Sequence, residues 1–264
     1  VESNTVETSV SSSGETTTVS FTPTDSLTAL SVYQVTVTFE DNADPANQLG
    51  TTFRFGVGPF EALPTEILGA TGSGTNPGFK VRSAQAPEES ILPLRLERAL
   101  KQLNGTLTDP TDSERRLADQ AIRGSNNDGS HAVTDVIDFS KDGIPGGNFF
   151  FDQLFPGIPG TAGHADQFST EVVTYLQLEK GFHTFGTQVW IERTDVAGGD
   201  DDGLTVFAGT HPKDVFSEVV HTFERSADAP AFVSTTDDNL FSFVAPETGL
   251  YPFRLVYYQK SRGA

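Results

Sequence analysis

The chain has 264 residues, with 17 Lys and Arg against 36 Asp and Glu, a formal charge of −19, 21 Phe, and neither Cys nor Met. The charge argues against nucleic acid and anionic membranes as partners, because both require a cationic protein surface. The lack of Cys excludes disulfides, thiolate metal sites and a Cys nucleophile, whereas the length and the Phe content suffice for a sizeable core.

Residues 1–58 have the alternating pattern of antiparallel β-strands. The alternation begins near residue 15, is clearest over 33–39, and recurs over 53–57 after a polar loop. Strands separated by turns in this way predict one half of an antiparallel sandwich. The apolar positions of the pattern are Val19, Phe21, Tyr33, Val35, Val37, Phe39, Phe53, Phe55 and Val57.

Residues 59–130 are predicted to form a linker with two short helices, because Pro and Gly interrupt any periodicity over 59–80. The first helix has its apolar face at spacings of three and four, with Pro93 in the first turn and a stop at Asn104-Gly105. The second helix is predicted from Ser113 to Ile122. The apolar face comprises Leu92, Leu96, Ala99, Leu100 and Leu103. A solvated face is predicted for Arg95, Glu97, Arg98, Glu114, Arg115 and Arg116.

From residue 131 to the end the pattern returns to β-structure. Gly, Pro and Asp clusters separate most of the predicted strands, which is typical of a sandwich or barrel. The aromatic residues of this half, including Phe149–Phe151, Phe155 and Trp190, are predicted to be mainly core. The predicted strands are 133–139, 170–178, 182–193, 204–207, 215–225, 240–244 and 250–258.

The sequence contains no nucleophile elbow, H-E-x-x-H zinc motif, P-loop or dinucleotide-binding glycine motif. The His residues are scattered and are predicted to be surface or strand residues rather than ligands. We therefore assign no catalytic residue and expect no enzymatic activity. The His residues are His131, His164, His183, His211 and His221.

The sharpest local feature is an acidic, Gly-rich turn at 198–203. Consecutive carboxylates repel one another, and Ca²⁺ prefers carboxylate and carbonyl oxygens in a Gly-containing loop. Asp200, Asp201 and Asp202 are therefore candidate calcium ligands, with Asp195 as a fourth. The alternative is an ordinary solvated acidic loop. The acidic stretches 126–129 and 237–239 are predicted to be turns.

Three segments of the C-terminal half together resemble the protective-antigen-type sugar-binding domain: Gly181–Gly186 (GFHTFG), Asp201–Gly209 (DDGLTVFAG) and Val244–Tyr258, most clearly in TGLYPFRLVYY. The resemblance covers about 131–258 and implies a β-sandwich. In sugar-binding members of this family, two adjacent Asp hold a Ca²⁺ ion that also ligates sugar hydroxyls. Asp201 and Asp202 match that pair.

Residues 1–58 resemble the second half of a bacterial immunoglobulin-like repeat, through Tyr33–Phe39 (YQVTVTF) and Thr52–Val57 (TFRFGV). The segment Pro77–Arg82 and the helix after it resemble a connector found beside such modules in very large secreted bacterial proteins. The resulting fold prediction is mainly β: a partial immunoglobulin-like sandwich over 1–58, a short helical connector over 59–130, and a protective-antigen-like sandwich over 131–264.

These patterns predict a non-enzymatic, secreted or cell-surface module of a larger protein that serves calcium-dependent glycan binding or adhesion, with a glycan or cell-surface polysaccharide as its partner. Because the chain starts at Val1 and lacks Met, we interpret it as a piece of a longer protein. No stretch approaches the roughly 20 apolar residues of a membrane span, so no membrane insertion is predicted. Two alternatives remain open. One is a self-associating subunit of an extracellular filament or surface layer, and the other is an accessory domain of a glycoside hydrolase.

Overall fold

The chain is mainly β, as predicted, and divides into two units, Val1–Glu61 and Ala62–Ala264. Among the residues that the structure describes, no helix has the length and apolar character that crossing a membrane requires. The computed structural model describes residues 6–13, 16–24, 27–28, 32–40, 46–58, 60, 62–67, 77–87, 92–141, 152–161, 163–187, 202–224 and 240–260.

The first unit contains two antiparallel strand pairs: β1 (Val6–Ser13) with β2 (Thr16–Pro23), and β3 (Val32–Glu40) with β4 (Gln48–Gly56). The alternation of the sequence puts the apolar side chains of each pair on one face. Across β3 and β4, for example, Val35 lies opposite Phe53 and Phe39 opposite Leu49. Several apolar side chains on these faces are exposed, for example Leu49 (71%) and Phe53 (48%), whereas others, such as Val35, are half-buried.

The second unit opens with a single 3₁₀ turn at Thr65–Ile67 and has one α-helix among its described residues, α1 (Leu96–Leu103). All but the first of its strands before residue 155 have two to five residues, and each strand after that residue has six to eleven. In chain order the strands are β5 (Phe79–Gln85), β6 (Thr108–Asp109), β7 (Asp112–Arg116), β8 (His131–Val133), β9 (Phe139–Ser140), β10 (Gln153–Leu154), β11 (Phe168–Leu178), β12 (Gly181–Gly186), β13 (Asp202–Ala208), β14 (Glu218–Glu224), β15 (Leu240–Ala245) and β16 (Gly249–Gln259).

A six-stranded antiparallel sheet organises this unit, in the order β14-β13-β16-β11-β5-β8. The two longest strands, β11 and β16, pair over ten residues at its centre. Three two-stranded sheets accompany it: β12–β15 and β6–β7, which are antiparallel, and β9–β10, which is parallel. The predicted strands 170–178, 204–207, 240–244 and 250–258 are confirmed.

The two faces of the six-stranded sheet have different coverings. Helix α1 packs through Ala99 and Leu103 on the face that carries Ala84, Val256 and Tyr258, which we call the helix face. The opposite face, the core face, packs against the β12–β15 sheet, the 3₁₀ turn and the segment around Phe155. Residues of the core face include Val81, Phe168, Leu204, Val206, Phe253 and Tyr257.

Helix α1 ends as predicted, with Asn104 as C-cap and Gly105 in a left-handed conformation (φ 67°). It starts later than expected, after an extended Arg95 (φ −158°). Arg98 was predicted to be solvated but is 3% exposed. Its guanidinium donates to two side chains and three backbone carbonyls, and these neutral acceptors allow it to be buried: Gln102, Ser169, Pro93, Phe168 and Gln259.

The region predicted as a linker differs from the expectation in two places. The second predicted helix is replaced by the β6–β7 pair, because Asp109 Oδ1 accepts hydrogen bonds from the amide and hydroxyl of Thr111 (2.8 and 2.6 Å) and closes a turn. Further upstream, β5 lies inside the six-stranded sheet between β11 and β8. The single strand predicted over 133–139 is wrong, because residues 134–138 belong to no strand and only the short strands β8 and β9 flank them.

Candidate functional site

Asp202 is the described member of the predicted calcium site, and it is the first residue of β13. Its side chain lies on the core face and is almost fully buried, with the residue 1% exposed. The Tyr257 hydroxyl donates to Asp202 Oδ1 at 2.6 Å. The Tyr257 ring is itself held by stacking on Phe155 at 5.1 Å between centroids. Asp195, Asp200 and Asp201 lie outside the described residues.

Other buried polar side chains lie at this end of the core face. Gln259 pairs with Asp202 across the sheet, and both Gln259 and Gln85 are fully buried. Gln85 binds the segment that follows Phe155: its Nε2 donates to the carbonyl of His164 at 2.6 Å, and its Oε1 accepts from the amide of Gly160 at 2.8 Å. These bonds tie Gln85 to that segment.

One carboxylate tied to this network is Asp166, whose Oδ1 lies 3.2 Å from Lys141 Nζ and 3.5 Å from Gln259 Nε2. The ion pair with Lys141 neutralises the Asp166 charge in the absence of any metal. Among the described residues, no group of three or more His, Asp or Glu side chains is placed to hold a metal ion. Of the four predicted ligands, the described structure therefore contains Asp202 alone.

A second charged site, on the helix face, was not predicted. Glu171 of β11 is 1% exposed and faces three cations. Arg82 Nε (3.0 Å) and Lys213 Nζ (2.7 Å) reach its Oε1, and Arg254 Nη2 (2.9 Å) reaches its Oε2. We call these four residues the Glu171 cluster. The cations are 89, 42 and 83 residues from Glu171 in sequence, so only the pairing of the strands reveals the cluster.

The electrostatics of the Glu171 cluster favour an ionised carboxylate. Burial alone would raise the pKa of Glu171, but the hydrogen bond from Lys213 and the charges of Arg254, Lys213 and Arg82 outweigh it and lower the pKa. One negative charge against three positive charges leaves the Glu171 cluster with a net charge of +2 in a strongly acidic protein.

Lys213 belongs to the loop between β13 and β14, residues 209–217, which has its own internal bonding. Asp214 Oδ2 accepts from the amide and hydroxyl of Thr210 at 3.0 and 2.7 Å, and Asp214 Oδ1 accepts from the amide of Phe216 at 2.9 Å. These hydrogen bonds lower the pKa of Asp214 to about 2. The loop leaves Val215 87% exposed and Phe216 89% exposed.

The other acidic turn that the structure describes is confirmed as a turn. Asp128 Oδ1 accepts hydrogen bonds from the amide and hydroxyl of Ser130 at 3.0 and 2.6 Å, and Gly129 has a positive φ of 76°. The hydrogen bonds from Ser130 are the main reason that the pKa of Asp128 is lowered to about 2.

Phe155 is a core residue, as predicted. The predicted features Phe149–Phe151, Trp190 and 237–239 lie outside the described residues.

Three histidines, His131, His183 and His221, lie in strands, as predicted, and the last two contact aromatic rings. His183 of β12 stacks on Phe243 at 5.9 Å, and His221 of β14 stacks on Phe241 at 4.7 Å. Burial lowers the pKa of His221. These positions make both rings part of the packing between β14, β12 and β15.

A pair of carboxylates was also missed by sequence reasoning. The parallel pairing of β9 with β10 aligns Gln153 with Phe139, which brings Asp138 and Asp152 side by side. Partial burial, and then the charge of Asp152, raise the pKa of Asp138.

Comparisons of the chain with models of protein families, with curated proteins and with solved structures found no match.

Proposed function

We propose that the second unit is a non-enzymatic, extracellular glycan-binding module of the protective-antigen type that uses Ca²⁺. The observation that carries the proposal is the Asp202 carboxylate, which is buried at the first position of β13 and oriented by the Tyr257 hydroxyl. The same residue is the second Asp of the Asp201-Asp202 pair on which the resemblance rests.

Calcium binding at this point is physically reasonable for two reasons. The hydrogen bond from Tyr257 already orients the Asp202 carboxylate, so less side-chain entropy is lost when a metal binds. Hydrogen-bond partners that orient a metal ligand in this way strengthen metal affinity. Asp200 and Asp201 precede Asp202 directly and add two further carboxylates. Calcium takes six to eight oxygens, so carbonyls and sugar hydroxyls can complete its coordination.

Calorimetric titration with Ca²⁺ tests the metal. We expect saturable heat in the unchanged protein, none in Asp201→Ala, and affinity lowered roughly tenfold in Tyr257→Phe, which keeps the ring but removes the hydroxyl. Glu97→Gln is the matched control, because it removes one exposed carboxylate on α1. Heat that is absent, or equal in all variants, contradicts the proposal.

A glycan array, probed with and without chelator, tests the ligand. We expect binding that the chelator abolishes and that Asp201→Ala lacks. Calcium binding without any glycan signal would restrict the role of the metal to stability.

A second candidate function, self-assembly of the chain into a filament or layer, is favoured by the first unit. The apolar faces of both of its strand pairs are exposed, and residues on them include Val10 (64%) and Leu49 (71%). We propose that a second copy of the chain covers the face of β3–β4, where Tyr33 and Phe55 stack at 5.8 Å, and thereby completes the partial immunoglobulin-like sandwich.

Sedimentation velocity and electron microscopy test this assembly. We expect concentration-dependent oligomers that Leu49→Ser with Phe53→Ser disperses. Thr38→Ser, on the polar face of β3 opposite Gly50, is the control and leaves oligomers unchanged. A monomer at every concentration, or equal dispersal by the control, rules the assembly out.

A further inference from the structure

We propose that the Glu171 cluster and the adjoining loop 209–217 bind the carboxylate or sulfate group of an acidic polysaccharide. This inference extends the proposed glycan binding to a separate place on the second unit, and it names the class of sugar. It does not depend on calcium.

The argument starts from charge. A buried carboxylate requires compensation, but one or two cations suffice for that purpose. Glu171 has three, and among the described residues it is the only carboxylate within 4.0 Å of Arg82, Lys213 or Arg254. Like charges gathered this closely repel one another, and an additional anion at this site relieves that repulsion.

The cations retain donors that point to no described partner. Arg254 contacts the Glu171 carboxylate through Nε and Nη2. Arg82 donates from Nε to Glu171 and from Nη2 to the carbonyl of Leu103. The Nη1 group of each arginine therefore has no described acceptor. Lys213 uses one of its three N–H donors in this way, and its side chain is 48% exposed. Guanidinium and ammonium groups of this kind bind carboxylates and sulfates through charge-assisted hydrogen bonds.

The loop adds an apolar contact beside these cations. Asp214 holds the backbone at Thr210 and Phe216, so that Lys213 reaches inward to Glu171 while Phe216, three residues later, projects into solvent. An exposed aromatic ring at a fixed position suits stacking on a sugar ring, whose C–H face is apolar. An anion-binding group next to an exposed aromatic ring therefore matches a charged sugar better than a free inorganic anion.

The net charge of −19 does not prevent this binding. At about 0.15 M salt the Debye length is about 8 Å, so a ligand at the Glu171 cluster responds mainly to nearby charges. Lys80 also lies on this face, two residues before Arg82 on β5, but Asp128 at 3.8 Å offsets its charge. An anionic membrane also attracts cations, but its extended negative surface would meet the acidic remainder of the protein as well.

The test is a binding titration of the full chain, in chelator, with a heparin-type sulfated oligosaccharide, an oligogalacturonate, a neutral dextran fragment of equal length, and inorganic sulfate. Vesicles containing phosphatidylserine form a further arm. We expect the two acidic oligosaccharides to bind saturably and the neutral fragment not to bind.

Lys213→Gln is the informative variant, because Arg82 and Arg254 still compensate Glu171. We expect it to weaken acidic-oligosaccharide binding about tenfold, and Phe216→Ser to weaken it several-fold. Lys101→Gln is the matched control, since it removes the same charge from the exposed side of α1, where Lys101 pairs with Glu97 at 2.7 Å. Thermal melting of all three variants verifies that each is folded.

The proposal is overturned if no acidic oligosaccharide binds, if Lys213→Gln and Lys101→Gln weaken binding equally, or if the vesicles bind in preference. Inorganic sulfate that binds as tightly as the oligosaccharides would also overturn it, because the site would then recognise a free anion. Failure of the calcium site is distinguishable: it abolishes the calorimetric response to Ca²⁺ but leaves these chelator-resistant titrations unchanged.

Discussion

Replacement of Glu171 by Gln tests the balance of charges in the Glu171 cluster most directly. Gln keeps the shape of the side chain but removes the charge that three cations face within 3.0 Å. Loss of one partner from a buried ion pair costs about 3–5 kcal/mol. Arg82 and Lys213 are partly exposed and regain hydration, so we place the cost at the lower limit, about 3 kcal/mol.

For a unit of this size, a loss of about 3 kcal/mol lowers the melting temperature by roughly 6–12 °C. Urea denaturation and thermal melting measure both quantities, with Glu97→Gln, which removes an exposed carboxylate on α1, as the control. A cost below about 1 kcal/mol for Glu171→Gln would refute the reasoning, because the charge would then not hold the cations in place.

The pH dependence of stability provides an independent check on the same residue. The pKa of Glu171 is lowered from its ordinary value of 4.5. The contribution of its charge to the stability of the fold is therefore complete above about pH 4.5 and is lost as the pH falls through the lower pKa of the folded protein. Glu171→Gln should therefore lose less stability than the unchanged protein when the pH falls below about 4.5. Parallel pH profiles for the two proteins would contradict the lowered pKa.

Three further substitutions test the packing of the second unit. Gly203→Ala places a Cβ 2.3 Å from the buried ring of Tyr258, so we expect urea denaturation to show a loss of about 1–3 kcal/mol. Arg98→Met removes the donor to three backbone carbonyls and should lower the free energy of unfolding by on the order of 3 kcal/mol in the same assay. A loss under about 1 kcal/mol would show that water replaces the guanidinium. The pKa of His221 is lowered in the folded protein, so the unfolded chain binds the proton more readily, and stability falls as the pH drops below about 6.5. His221→Phe keeps an aromatic ring against Phe241, and its melting temperature should lack that decline.

Local patterns predicted the strands well where one face is apolar. The alternation at 33–39 and the apolar stretch at 250–258 identified β3 and β16, and Asn104-Gly105 marked the end of α1. The misplaced second helix illustrates the limit of such reasoning. Glu114, Arg115 and Arg116 favour a helix by propensity, but the turn built by Asp109 places them in β7, which pairs with β6.

The charged sites could not be predicted in the same way, because they depend on strand pairing over long distances. Arg82 lies opposite Glu171 only through the register of β5 on β11. In the sequence, Arg82 belongs to a stretch that is predicted to be a connector. The polar–apolar alternation of Phe79–Gln85 is nevertheless typical of a strand. Asp202 is a candidate ligand predicted from the sequence, whereas its hydrogen bond to Tyr257 depends on the alignment of β13 with β16.

The central position of β16 has a consequence for the order in which the second unit folds. This strand pairs with both β11 and β13, which are separated from it and from each other by long stretches of chain. The six-stranded sheet therefore cannot close until synthesis has passed Gln259, and its high contact order favours slow folding on the scale of milliseconds to seconds. The strand pairs of the first unit join near neighbours in sequence and have no such requirement. A chain emerging from the ribosome thus forms its N-terminal hairpins early, while β5 and β11 wait for their last partner.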